Sequence, residues 1–194
     1  MIENVLSARN AATGKKVTVR SLVIVGVIAL AVALPQLVHL TLGQPGGVQW
    51  LPMYLPVLLG GCLLGWKYGA IAGAASPIVS FAITSLLGSP MPPAARLPFM
   101  TAELLIFALV SGLFSGKIYR NGLWAFPAVI AAQLCGRGAF LLLTVIFNSL
   151  TALTPQMVWS QIAAGKWGLL LQAVVTPLII LVIRAFLVRE KKND

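Results

Sequence analysis

Apolar runs separated by short polar breaks fill this chain, at residues 21–42, 51–66, 69–87, 98–116, 123–150 and 167–188. A helix needs roughly 20 apolar residues to cross a hydrocarbon core of about 30 Å. The pattern therefore predicts an all-α integral membrane bundle of six transmembrane helices over residues 21–188. The second run is the shortest and is rich in glycine. Residues 1–20 are polar and are expected to form a flexible arm or an interfacial segment, and residues 189–194 a basic tail. A chain of 194 residues leaves no room for a separate soluble module. The first run is too long for a signal peptide and lacks a small-residue cleavage site, so it is expected to remain as a membrane helix.

The breaks fall into two sets. One set holds Gly43-Gln44-Pro45-Gly46-Gly47-Val48-Gln49-Trp50, the four-proline segment 88–98, and residues 151–166, which have room for a short interfacial helix. Proline fixes φ and removes a donor, so 88–98 is expected to be a stiff irregular loop. The other set, 66–68 and 117–122, is short. Binding residues sit on loops more often than on tight turns, so the face with the long breaks is the expected ligand face.

Composition agrees with a membrane protein: 59% of residues are hydrophobic. The net charge of +10 raises the question of nucleic acid, but the placement of the charges answers it. With both termini cytoplasmic, Arg9, Lys15, Lys16, Arg20, Lys67, Lys117, Arg120, Arg184, Arg189, Lys191 and Lys192 fall on the cytoplasmic side, eleven of the 14 basic residues. That asymmetry is the positive-inside rule, so the partner of the basic charge is the lipid bilayer and no nucleic acid is expected. Cys62 and Cys135 both lie in apolar runs, as small hydrophobic residues do. One histidine and two separated cysteines do not make a transition-metal site. Gly14-Lys15-Lys16 lacks the upstream glycine and following hydroxyl of a phosphate-binding loop, so the chain itself is not expected to hydrolyse nucleotide.

Only four residues are acidic, and three of them (Glu3, Glu190 and Asp194) lie near the ends. Glu103 lies inside an apolar run. Placing a charge there costs roughly 2.5–3.5 kcal/mol on insertion scales, which marks such a residue as a functional-site candidate. At 1.5 Å rise per residue, Glu103 is about 8 Å below the end marked by Pro98. Arg137 has climbed about 21 Å from Leu123, which brings it to the same outer part of a roughly 30 Å core. Gln172 reaches a similar layer, and Gln133 is one turn deeper on the Arg137 face. Asn148 lies near the outer end of the Arg137 helix, and Arg96 stands in the proline-rich loop of the same face. Two readings follow: an ion pair joining two helices, or the wall of a ligand cavity open to the outside. The additional amides favour the cavity. Trp50, Trp159 and Trp167 fit an interfacial belt; of these, Trp50 is assigned to the site. His39 is read as an interfacial histidine.

On the first helix Ala29 and Ala33 are four apart, with Gly26 and Ala31 nearby, and small residues at that spacing let another helix approach closely. Gly61, Gly65, Gly69 and Gly73 also step by four, with Lys67 expected to mark a turn. Their expected use is tight internal packing.

The Ala29-x-x-x-Ala33 helix, the stretch from Gln49 to Gly61, Gly65-Trp66-Lys67-Tyr68-Gly69, the 88–96 loop with Met91-Pro92-Pro93, and Glu103 on the helix that follows together resemble the substrate-binding S component of an energy-coupling factor (ECF) transporter. The resemblance covers nearly the whole chain. It implies a non-enzymatic subunit of a bacterial plasma-membrane importer that captures a vitamin or micronutrient outside, with no cofactor of its own. It further implies docking through Ala29 and Ala33 on a membrane coupling subunit, with two ATPase subunits using the ATP. Nickel and cobalt members of that family carry an N-terminal histidine where this chain begins Met1-Ile2-Glu3, which argues against a metal cargo. Pantothenate, a pyridoxine form, cobalamin, lipoate and a queuosine precursor all stay open. The main rival is a stand-alone proton-coupled carrier using Glu103 as its relay. An intramembrane hydrolase would need a nucleophile with a base, and His39 is the only imidazole.

Overall fold

The computed structural model describes residues 1–8, 12–147 and 154–189. Among them, six helical spans are long and apolar enough to cross a membrane: Thr13–Gly43, Gly46–Leu64, Trp66–Leu86, Ala94–Leu113, Gly122–Ile146 and Lys166–Leu187. Each overlaps one apolar run of the sequence, and no strand occurs among the described residues. The protein is a multi-pass, all-α membrane protein. Its helices are α1 (Ile2–Ala8), α2 (Thr13–Trp50), α3 (Tyr54–Leu64), α4 (Trp66–Leu86), α5 (Leu97–Leu113), α6 (Ser115–Arg120), α7 (Ala125–Ile146), α8 (Pro155–Ala164) and α9 (Lys166–Arg189).

α5 is the central helix and packs against α3, α4 and α7. Small residues make this possible, since helices in lipid associate by close packing. A Cβ built on Gly69 would lie 2.7 Å from the Cα of Gly61, and one on Gly112 would lie 2.6 Å from both N and Cα of Trp66. The four-residue glycine series thus brings α3, α4 and α5 into backbone contact, as expected. Leu58, Leu104, Phe107 and Val129 fill the remaining core and are fully buried.

α2 is peripheral. Only 11% of its membrane window is buried, the lowest of the six spans. Val27, Ala31 and Pro35 face the bundle, whereas Ala29 and Ala33 are exposed on the opposite side with Val25 and Leu37.

Two local features depart from the sequence expectation. The reversal after the first span is concentrated at Gly43 (φ 68°, ψ −170°), and Gly46–Trp50 winds back into helix instead of forming an open loop. The next turn falls at Gly65 (φ 84°), one residue before α4, and not at Lys67. Within the N-terminal arm α1 is helical, with Met1 and Val5 buried. It is fastened where Arg20 donates to Glu3 at 2.9 Å and to the Tyr68 hydroxyl at 2.5 Å. The 88–98 break is irregular up to Pro93 and ends in a single 3-10 turn, Ala94–Arg96. The third long break holds α8, as anticipated.

The two ends of the bundle differ chemically. Arg20, Lys67, Lys117, Arg120 and Arg184 gather at the end with α1 and α6, where Arg184 donates to the carbonyls of Tyr119 and Arg120. The long connections and α8 lie at the other end, with Arg96 and Lys166.

Candidate functional site

The site grows from three helices. Tyr54 opens α3 three residues after Leu51, whose left-handed backbone (φ 49°, ψ 51°) ends the preceding helical turn. Glu103 lies on α5 and Arg137 on α7, and both are buried. Arg137 Nη1 is 2.9 Å from Glu103 Oε1. The Tyr54 hydroxyl donates to Glu103 Oε2 at 2.6 Å. The Arg137 guanidinium also stands over the Tyr54 ring, 4.7 Å from its centroid. The ring is held in turn by Phe107 at 5.1 Å in an edge-on arrangement. One helix over, the face of Gly136 accepts that same Phe107 ring, because a Cβ there would lie 2.1 Å from it.

Above this cluster lies a cavity of about 270 Å³. Glu103 and Arg137 form its floor, and Pro35, Met53, Met100 and Phe140 line its walls. Its rim comes from the two irregular connections and α8. The Met91 segment is pinned there by α4: Ser80 Oγ donates to the Met91 carbonyl at 2.9 Å, and Met91 N donates to Thr84 Oγ1 at 2.7 Å. These hydroxyls pair with backbone groups of Met91 that have no helical partner in this irregular segment. Arg96 and Gln161 close the other side of the mouth. The Gln161 amide oxygen accepts from both terminal nitrogens of Arg96, at 2.8 and 3.2 Å.

Among the residues expected in the site, Glu103, Arg137 and Arg96 line the cavity. Trp50, Gln133 and Gln172 are not among its lining residues. The Trp50 side chain is half-buried, and the rim beside it is made by Gly47, Val48, Leu51 and Pro52. Gln172 Nε2 donates to the carbonyls of Trp50 and Leu51, at 3.2 and 2.9 Å. Gln133 Nε2 donates to the Leu169 carbonyl at 3.0 Å. Both amides therefore serve the backbone of neighbouring helices. Gln172→Ala is expected to cost about 1–3 kcal/mol by leaving the part-buried Trp50 carbonyl unmet and the Leu51 carbonyl with the Tyr54 N–H alone, measurable as a lower midpoint of unfolding in mixed micelles. Asn148 lies outside the described residues.

Sequence reasoning left Tyr54 and Gln161 out of the site and read His39 as an interfacial histidine. Tyr54 is the one tyrosine inside an apolar run, and that signal was available. His39 lines the cavity and stacks against Gly47, where a Cβ would lie 2.3 Å from its ring. Gln161 had no signal separate from the many polar residues of its connection.

The fold and cavity define a six-span membrane protein with a small, partly open cavity at one end. No protein-family model matches the chain, and neither the curated proteins nor the solved structures contain a match.

Proposed function

We propose that the protein is the substrate-capture subunit of an ECF-type importer in a bacterial plasma membrane. The observation that carries this reading is the cavity: it is enclosed by irregular connections at one end of the bundle and has a buried ion pair as its floor. On the positive-inside rule the opposite, basic end is cytoplasmic, so the cavity opens outside. Ligand pockets typically measure about 300–1,000 Å³, so 270 Å³ suits a compact vitamin-like molecule and is far too small for cobalamin. The subunit captures the molecule without chemistry and needs no cofactor. Transport energy comes from two ATPase subunits acting through a membrane coupling subunit.

The exposed Ala29 and Ala33 face of α2 is the proposed docking surface, since small residues there admit a partner helix at short range. Ala29→Trp or Ala33→Trp is expected to abolish co-purification with the coupling subunit while ligand affinity stays at the wild-type value. Normal assembly in both variants would show that another face docks.

The proton-carrier reading is less well supported. A relay carboxylate needs access to both sides in turn, whereas Glu103 is fully buried with one oxygen held by Tyr54 and the other beside Arg137. Native mass spectrometry of the gently purified protein tests capture directly. The expected result is one bound small molecule per chain, lost in Arg137→Ala; protein from rich medium that never carries a ligand would contradict it.

A further inference from the structure

The cavity is electrically unbalanced. Its charged lining residues are Glu103, Arg137 and Arg96, one negative and two positive. His39 also lines it.

The imbalance has a geometric counterpart in Arg137. Glu103 sits beside Nη1 only. The side-on edge of the guanidinium, made by Nε and Nη2, is buried and has no hydrogen-bond partner among the described residues. Arg137 as a whole is 8% exposed, so bulk water does not serve that edge freely. Leaving buried charged donors unmet is costly. Two parallel N–H groups in a rigid plane match the two oxygens of a carboxylate. Pro35, Leu51, Met53, Met100 and Phe140 make much of the rest of the lining apolar and favour an apolar body, with Ser89, His39 and Gln161 as further polar side chains.

We propose that the cavity takes a monoanionic carboxylate with a compact apolar body, its two oxygens bound side-on by the Nε and Nη2 edge of Arg137. This rests on reading the cavity as a ligand site and adds the charge and class of the ligand. Glu103 and Tyr54 are positioning residues here: they hold Nη1 and the face of the guanidinium, so that its free edge is presented in one orientation. Arg96 at the mouth supplies the second positive charge and attracts the anion before it reaches the floor. A phosphate monoester carries about −1.5 to −2 at pH 7 and would overfill the single excess positive charge.

The test uses the full chain in lipid nanodiscs, with melting temperature as the readout and three acids as probes: hexanoate, cyclohexanecarboxylate and 3-phenylpropionate. Each is compared with its own primary amide, which keeps shape and apolar area but loses the charge. Inorganic phosphate is the third arm. At least one acid is expected to raise the melting temperature at millimolar concentration, with its amide weaker by about tenfold or more, the worth of one charge-assisted hydrogen bond. Arg137→Lys keeps the charge but loses the planar fork, and is expected to reduce the preference for acid over amide, whereas Arg137→Gln loses both and is expected to erase it.

Equal effects of acid and amide, silence of all three acids, or stabilisation by phosphate alone would overturn the proposal. These outcomes separate from a failure of the importer reading. A neutral molecule retained by the native protein, together with normal assembly on the coupling subunit, would sink the carboxylate assignment alone. Carboxylate binding by a chain that never assembles would sink the importer assignment alone.

Discussion

Arg137→Ala is expected to lower stability by roughly 3–5 kcal/mol, because it leaves Glu103 as an uncompensated charge in the bundle interior. The loss is not only a matter of the ion pair. The guanidinium also covers the Tyr54 ring, so its removal frees the hydroxyl that fixes Glu103 Oε2. Ligand capture is expected to vanish in the same variant. A second substitution separates the two effects. Replacing both partners, Glu103→Leu with Arg137→Met, removes the buried charges together and is expected to recover most of the stability, since a well-packed apolar pair often matches a buried ion pair. Ligand capture should stay absent in that double variant. Denaturation in mixed micelles reads the stability, and native mass spectrometry reads the ligand. A double variant that regained ligand would make the pair a structural clamp with no part in recognition.

Gly112→Ala is the second large effect. The new Cβ would lie 2.6 Å from N and Cα of Trp66 and 2.7 Å from the carbonyl carbon of Gly65. All three are backbone atoms, so no side-chain rotation relieves the contact. Overpacking of this kind typically costs about 1–3 kcal/mol. Here it would push the Gly65 turn away from α5 and loosen the close-packed centre that holds Glu103. Gly138→Ala is the matched control: nothing lies within 4 Å of the added carbon, and the exchange favours helix by roughly 0.5–1 kcal/mol. Equal unfolding midpoints for the two variants would mean that α4 and α5 do not approach as described.

The sequence carried the spans because membrane helices are recognised by run length and composition, which need no knowledge of neighbours. The pairing of Glu103 with Arg137 was legible from depth alone, since a rise of 1.5 Å per residue places both in one layer. Depth does not fix rotation about the helix axis, and that is where the amides went astray. Gln172 reaches the right layer but turns toward the carbonyls of Trp50 and Leu51, at the point where the left-handed Leu51 ends the helical turn. That irregular backbone was itself hidden: Gly43, Pro45, Gly46 and Gly47 read as loop formers, yet tertiary packing against α9 draws residues 46–50 into helix. Gly168 records the contact, since a Cβ there would lie 2.6 Å from the Gln49 carbonyl. Tyr54 stood out as the one tyrosine inside an apolar run, but its direction on α3 depends on where the helix begins, at the same break.

Transport in reconstituted liposomes tests the central claim most directly. The molecule recovered from the native protein is offered to liposomes holding this chain alone, under an imposed proton gradient, and to liposomes that also hold the coupling subunit and its two ATPases. The account predicts binding without accumulation in the first case and ATP-dependent accumulation in the second. Accumulation by the chain alone that collapses with the proton gradient, and is lost in Glu103→Gln, would contradict it.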